Sequence, residues 1–158
     1  PRLKAGTPAR IVNVASPARS SPKTIDFARL QSATRSITGL DEYGVSKLGN
    51  VLFTRELAKR LEGTGVTTYA VHPGVIASDI WRRIPWPIRP VALRFMKTTA
   101  QGAQTSLWCA TAPELATQTG RYYDDRKEKR PSRAAQDDAL AVQLWKKSAE
   151  WAGVSAAV

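Results

Sequence analysis

One cysteine, Cys109, and one histidine, His72, are all the sequence holds of these residue types. A lone thiol excludes an internal disulfide, and with no His/Cys cluster a zinc ligand set cannot be assembled. Cys109 is expected to be a small buried hydrophobe in a helix, in a reducing, intracellular setting. Long apolar runs are also missing, since none approaches the roughly 20 residues that a bilayer-spanning helix needs. No secretory leader pattern is legible, and Pro1 to Arg10 reads as the tail of an earlier element. The expected location is cytoplasmic, with membrane association as the alternative.

Negative charge is scarce. Thirteen Asp and Glu stand against 24 Lys and Arg, for a net charge of +11. Such a balance can mark nucleic acid or an anionic membrane as a partner. Here the cations are scattered over helices and loops, without an RNP-like aromatic motif, a finger or a helix-turn-helix pattern. No nucleic-acid partner is expected, and a basic enzyme surface is the simpler reading.

What the sequence does contain is an alternation of strands and helices. Ile11-Val12-Asn13-Val14 is a short β-branched run, read as a buried strand that Ser16-Pro17 ends. A polar stretch follows through Thr38-Gly39, with Asp41 placed to cap the next helix. The helix from about Glu42 to Glu62 is the clearest element. Val45, Leu48, Val51, Leu52, Phe53, Leu57, Ala58 and Leu61 give it an apolar surface too wide for a single seam, so it should pack on a sheet and on a second helix. Glu56 and Arg60 are spaced to pair on its exposed side, and Gly63 and Gly65 end it. Val66 to Val71 reads as a second strand, so strand, helix and strand form a parallel crossover. Ala100 to Ala110 is a further helix, Gly120 to Tyr123 a last short strand, and Ala134 to Trp151 a closing helix.

The chemistry lies at the start of the long helix. Tyr43 and Lys47 are four residues apart, which puts both side chains on one helix face, about a turn from each other. A free tyrosine, with pKa about 10, is a poor base at neutral pH. A nearby ammonium favours the phenolate, so the pair can exchange a proton with an alcohol or carbonyl oxygen. Ser16, ending the preceding strand, can hydrogen-bond the same oxygen. His72 invites a hydrolase reading, but there is no Gly-x-Ser-x-Gly elbow, and this histidine precedes a Pro-Gly turn.

Three blocks stand in order: Val12-Asn13-Val14-Ala15-Ser16, Tyr43-Gly44-Val45-Ser46-Lys47-Leu48 and Val71-His72-Pro73-Gly74. Together they resemble the catalytic half of the short-chain dehydrogenase/reductase superfamily. Ser46 through Leu57, Gly63-Thr64-Gly65-Val66-Thr67 and Gly102-Ala103-Gln104-Thr105-Ser106 resemble its retinol dehydrogenase-like branch, which includes the WW-domain oxidoreductases.

The resemblance implies an α/β fold, the C-terminal half of a Rossmann-like, doubly wound parallel sheet. It implies interconversion of an alcohol and a carbonyl with NAD(P)(H), NADP being favoured, on a lipophilic, retinol-like substrate. Tyr43 would be the general acid/base. Lys47 would lower the pKa of Tyr43 and bind the ribose of the nicotinamide nucleotide. Ser16 would hold the substrate oxygen; it matches the second serine of the family's pair, and Ala15 replaces the first. Pro73, Gly74 and Val75 would shape the nicotinamide pocket, and Ser78 would sit near the carboxamide or phosphates. Residues 79–98 would form a substrate-side lid, with Trp81, Trp86 and Phe95 lining an apolar pocket. The arginines and Lys97 among them could rest on anionic lipid.

Two departures qualify the resemblance. Gly49 stands where the branch has alanine, at a cost of about 1 kcal/mol in a helix interior. The glycine-rich turn that cradles a dinucleotide pyrophosphate does not occur between Pro1 and Val158, nor does the family's Asn-Asn-Ala-Gly block. The expectation is that residues 1–158 form the catalytic half of a single domain, that the dinucleotide-binding half is absent from them, and that alone they bind NAD(P) weakly and self-associate. The rival reading is non-catalytic: a remnant of the same fold whose 42–62 helix joins copies into a homo-oligomer.

Overall fold

The computed structural model describes residues 2–16, 22–34, 39–76, 94 and 96–157. After a short helix α1 (Arg2–Ala5), strand β1 (Ala9–Val14) leads to the long helix α2 (Leu40–Arg60) and strand β2 (Val66–His72). Helix α3 (Thr99–Thr111) connects to strand β3 (Arg121–Asp124), which turns into β4 (Lys127–Glu128), and helix α4 (Asp138–Ala152) closes the chain. The sheet order is β1-β2-β3-β4. β1 and β2 run parallel, from Ala9 opposite Val66 to Val14 opposite Val71. β2 and β3 are parallel, from Tyr69 opposite Arg121 to His72 opposite Asp124. β4 is antiparallel to β3.

The alternation along β2 explains the layers. Side chains on a strand point to opposite faces in turn. Ala70 packs with Leu48, Val51, Leu52, Ala141 and Leu144 on the side of α2 and α4. Tyr69 and Val71 pack with Cys109, Leu115 and Tyr123 on the side of α3. Both faces of β2 are therefore covered, as in a parallel α/β sheet. The fold is α/β with helices on both sides, as the strand-helix-strand alternation predicts. Cys109 is fully buried in α3, and burial pushes its thiol up to about 11, so it is an inert packing group.

Three local expectations need correction. Asp41 is not the cap of α2: the cap position is Gly39, in the left-handed conformation at φ 71°, with no side-chain cap. The helix starts earlier than predicted, so Asp41 falls in its first turn, where its charge meets the positive helix end. Glu56 and Arg60 do pair, at 2.8 Å, but on a covered side. Glu56 is only 4% exposed. Arg60 lies 4.7 Å over the Trp145 ring, and Arg60 Nη1 and Trp145 Nε1 both donate to the Ala156 carbonyl at 2.8 Å. The end of the chain thus folds back over that stripe. Finally, the closing helix begins at Asp138, after a 3-10 turn at Ala134–Gln136. The Asp137 carboxylate accepts from Leu140 N at 3.0 Å, a side-chain cap that restarts the helix.

Candidate active site

The carboxyl ends of β1 and β2 are where a parallel α/β sheet offers its ligand crevice. At the end of β1, Ala15 N donates to Val71 O at 2.8 Å, extending the ladder by one residue and burying Ala15. Ser16 follows. Its carbonyl accepts from Tyr122 OH at 2.9 Å, which fixes the backbone and leaves the serine half-buried. Tyr122 itself is a structural donor, since burial pushes its phenol up to about 12.

Helix α2 crosses this point on a polar stripe. Lys47 Nζ donates to Val14 O at 3.3 Å, and Asn50 Nδ2 donates to the same carbonyl at 2.9 Å. One helical turn further on, Asn13 Nδ2 donates to Thr54 Oγ1 at 2.9 Å, and that hydroxyl donates to Asn50 O at 2.7 Å. Positions 47, 50 and 54 share one helix face, so the stripe facing β1 is polar where a core helix would be apolar. Tyr43 extends the same stripe by one turn, with Lys47 Nζ 5.4 Å from its ring centroid. The sequence-predicted pair is therefore brought together, beside the strand end that carries Ser16.

The turn after β2 forms the other wall. Gly74 has φ 90°, a conformation that suits glycine, and Lys97 lies so close that a Cβ there would stand 2.7 Å from its Cδ. Lys97 N donates to Val75 O at 2.9 Å, and Lys97 Nζ reaches Asp125 Oδ1 at 3.1 Å. That hydrogen bond and charge hold the Asp125 carboxyl below its usual range. Gly102 lets α3 come up beneath the turn, since a Cβ on it would lie 2.2 Å from Ile76 Cδ1. Val14 and Val75 are 46% and 48% exposed, which leaves apolar surface at this edge of the sheet.

His72, at the end of β2, is buried, and its Nδ1 has no partner among the described residues. Burial, the largest influence, pulls its pKa below the ordinary value, as Lys97 does, against the pull of Asp124. A neutral, buried ring suits packing, as its place before the Pro-Gly turn suggests.

Tyr43, Lys47, Ser16, Pro73, Gly74 and Val75 all fall at this edge. Ser78, Trp81, Trp86 and Phe95 lie outside the described residues, as does most of the 79–98 segment. Asn50, Thr54 and Asp125 make contacts at this edge that the sequence reading gave no role, and Lys97, read there as a lid cation, pairs with Asp125. Asn50 and Thr54 could have been found as polar residues interrupting an apolar helix at the spacing of Lys47. Lys97 and Asp125 meet across 28 residues, and no local pattern announces such a contact.

No family model matches the chain. Its sequence is 48% identical to retinol dehydrogenase 12 from Homo sapiens, over 97% of this chain and 48% of that protein. It is 41% identical to dehydrogenase/reductase SDR family member 13 from Bos taurus, over 98% of this chain and 42% of that one. With retinol dehydrogenase 13 from Homo sapiens the figures are 38%, 98% and 49%. The chain thus spans about half the length of the curated relatives it matches. Among solved structures, an uncharacterised protein from Mycobacterium paratuberculosis is similar with a TM-score of 0.68 at 24% identity, over 95% of this chain and 52% of that one, a likeness of fold.

Proposed function

Since the chain belongs to the short-chain dehydrogenase/reductase family, we propose that it carries the proton-transfer side of an NAD(P)(H)-dependent interconversion of an alcohol and a carbonyl. The observation behind this reading is the polar stripe of α2, on which Lys47 lies 5.4 Å from the Tyr43 ring centroid and bonds the Val14 carbonyl, two residues before Ser16.

In reduction, Tyr43 OH gives its proton to the carbonyl oxygen as that oxygen becomes a hydroxyl. In oxidation, the phenolate takes it back. The Lys47 ammonium lies 5.4 Å from the Tyr43 ring centroid, on the same face of α2. The Ser16 hydroxyl donates to the substrate oxygen and keeps it within reach of Tyr43. Lys47 has a second task, binding the ribose hydroxyls of the nucleotide. Its bond to Val14 O is long, and Asn50 holds the same carbonyl at 2.9 Å. Lys47 can therefore leave that carbonyl without freeing the strand end.

The residues present fit a nicotinamide end. Val14 and Val75 offer apolar surface at the carboxyl edge of the sheet, and Lys47 reaches from α2 to the end of β1. When bound, the nicotinamide supplies or accepts the hydride. Ser78 would add a contact to the carboxamide or phosphates. NADP is favoured over NAD on the family resemblance.

The substrate class is apolar alcohols and carbonyls, by analogy with relatives named retinol dehydrogenases. Trp81, Trp86 and Phe95 of the 79–98 lid are the residues proposed to meet it. Among the described residues no helix is long and apolar enough to cross a membrane. Residence in the cytoplasm and contact with a membrane surface are both compatible with this reading. Association between copies would use the uncovered side of α2 near Phe53, which stays partly exposed while stacking on Trp145 at 5.3 Å.

The test is kinetic, on the full-length protein that contains this chain. Tyr43→Phe should lower turnover by about 10²–10⁴-fold while NADPH affinity stays nearly unchanged, because it removes only the transferable proton. Lys47→Ala should lower both. Near-normal turnover in the phenylalanine variant would overturn the assignment.

A further inference from the structure

Behind the sheet, away from the Tyr43 end, a cleft of about 380 Å³ opens between the second half of α2 and the β3–β4 hairpin. Arg55, Arg121, Lys129 and Arg130 line it, against a single carboxylate, Glu128. Two of these cations are already committed. Arg121 pairs with Glu128 at 2.8 Å, and Arg55 with Asp138 at 3.0 Å, a carboxylate it shares with Lys59 at 2.9 Å. The Lys129 ammonium and the two terminal nitrogens of Arg130 have no carboxylate partner among the described residues.

The Arg130 guanidinium is braced, and the backbone that carries Lys129 is fixed. Arg130 Nε donates to Gln136 Oε1 at 3.1 Å, and the amide nitrogen of Gln136 donates to Pro131 O at 2.9 Å. Lys129 N donates to Tyr122 O at 2.9 Å, which fixes the strand end that carries both cations. With Nε occupied, the outer edge of the Arg130 guanidinium remains as a braced two-nitrogen fork, the geometry that grips a tetrahedral or planar anion by two parallel bonds. Gathering like charges raises the energy of the empty cleft, and an anion relieves it. The neighbouring sequence strengthens the field: Arg126, Lys127, Lys129, Arg130 and Arg133 fall within eight residues around Glu128.

The place excludes the reacting substrate. Arg55 is two helical turns beyond Lys47, about 12 Å along the axis. Gly120, also in the lining, precedes β3 and so marks the amino end of the strand, opposite the crevice edge. We propose that this cleft is a second ligand site, binding a phosphate group through Lys129 and Arg130. A dianionic phosphate ester compensates the excess charge better than a carboxylate and presents enough oxygens for the fork and the ammonium together. The group could be carried by a soluble ester or by a lipid headgroup.

The test uses the full-length protein at low ionic strength with two probes: inorganic phosphate by calorimetry, and phosphatidylcholine vesicles carrying phosphatidic acid by co-sedimentation. The Lys129→Gln/Arg130→Gln variant is compared with Lys4→Gln/Lys23→Gln, which removes equal charge from exposed positions elsewhere. The expected result is binding of at least one probe that weakens tenfold or more in the first variant and less than twofold in the second, with turnover unchanged in both. A response to phosphate alone identifies a soluble ester, and a response to vesicles identifies a headgroup. No binding of either probe, or equal weakening in the two variants, would overturn the site and leave only a diffuse basic surface.

Discussion

The two halves of α2 are built to different ends. Beyond Asn50, Val51, Leu52, Thr54, Leu57 and Ala58 are buried against the sheet and α4. Before it, Leu40, Asp41 and Ser46 are exposed, Tyr43, Val45 and Lys47 are half-buried, and Gly44 and Leu48 are buried. The far half holds by apolar burial, which is non-directional and strong in sum. The near half adds Leu48, with Val45 beside it, to the same core, and is tied to β1 by two hydrogen bonds to one carbonyl, from Lys47 and from Asn50 at the boundary, which are directional and weak in sum. A single rigid rod thus lets the core at one end position chemistry at the other. Tyr43 and Lys47, the proposed proton-transfer pair, can stay half-buried because their backbone is fixed by the buried residues further along the helix.

That division predicts separable failures. Leu52 is fully buried in the cluster between α2, α4 and β2. Leu52→Ala removes that contact and leaves a cavity, and should cost about 2–5 kcal/mol of folding stability. Denaturant unfolding of the full-length protein measures it. Turnover per folded molecule should hold below the shifted midpoint, whereas Tyr43→Phe should do the reverse. If Leu52→Ala lowered turnover as much as stability, the halves would be one cooperative unit and the comparison would fail.

The contrast also explains what could be read from sequence. Apolar spacing reports burial, so the core side of α2, strand β2 and the parallel crossover from β1 to β2 were legible from residues such as Leu48, Leu52, Leu57 and the run Val66–Val71. The Tyr43–Lys47 pair was legible because a helix turns i and i+4 to one side. Cap details were not. Gly39 rather than Asp41 starts α2, because the choice between them depends on the direction from which the chain enters. Glu56 looked exposed by charge, but Trp145 and the carbonyl of Ala156 close over Arg60 from far along the chain. The lid residues Trp81, Trp86 and Phe95 remain expectations of the resemblance.

A smaller effect is expected at the turn that faces the near half. Gly74→Ala places a Cβ 2.7 Å from Lys97 Cδ, on a backbone at φ 90°. The side chain can move, so the lasting cost is the backbone, about 1–2 kcal/mol. Because the turn borders the proposed nicotinamide pocket, NADPH affinity should fall more steeply than thermal stability. Calorimetric titration beside a melting curve separates the two. A loss of stability with unchanged affinity would make the turn merely a joint between β2 and α3.

The smallest effect, and the only gain, belongs to Gly49, at the boundary between the halves. Its absence of side chain invites the idea of a close contact with α4. The geometry argues otherwise: a Cβ there would meet only Leu144 Cδ2, at 3.7 Å, an ordinary van der Waals distance, and the backbone is not left-handed. Gly102 shows what a required glycine looks like, with 2.2 Å to Ile76 Cδ1. Gly49→Ala should therefore stabilise by about 0.5–1 kcal/mol, since alanine loses less backbone entropy in a helix and fills ordinary contact space. For a domain of this size that is a rise of about 2–4 °C per kcal/mol in Tm. Turnover should not change, because the substitution sits on the side of α2 turned to α4 rather than on the stripe of Lys47 and Asn50. A fall in Tm would mean that α2 and α4 tolerate no added atom at their crossing, and that the core half reaches further toward Tyr43 than its burial suggests.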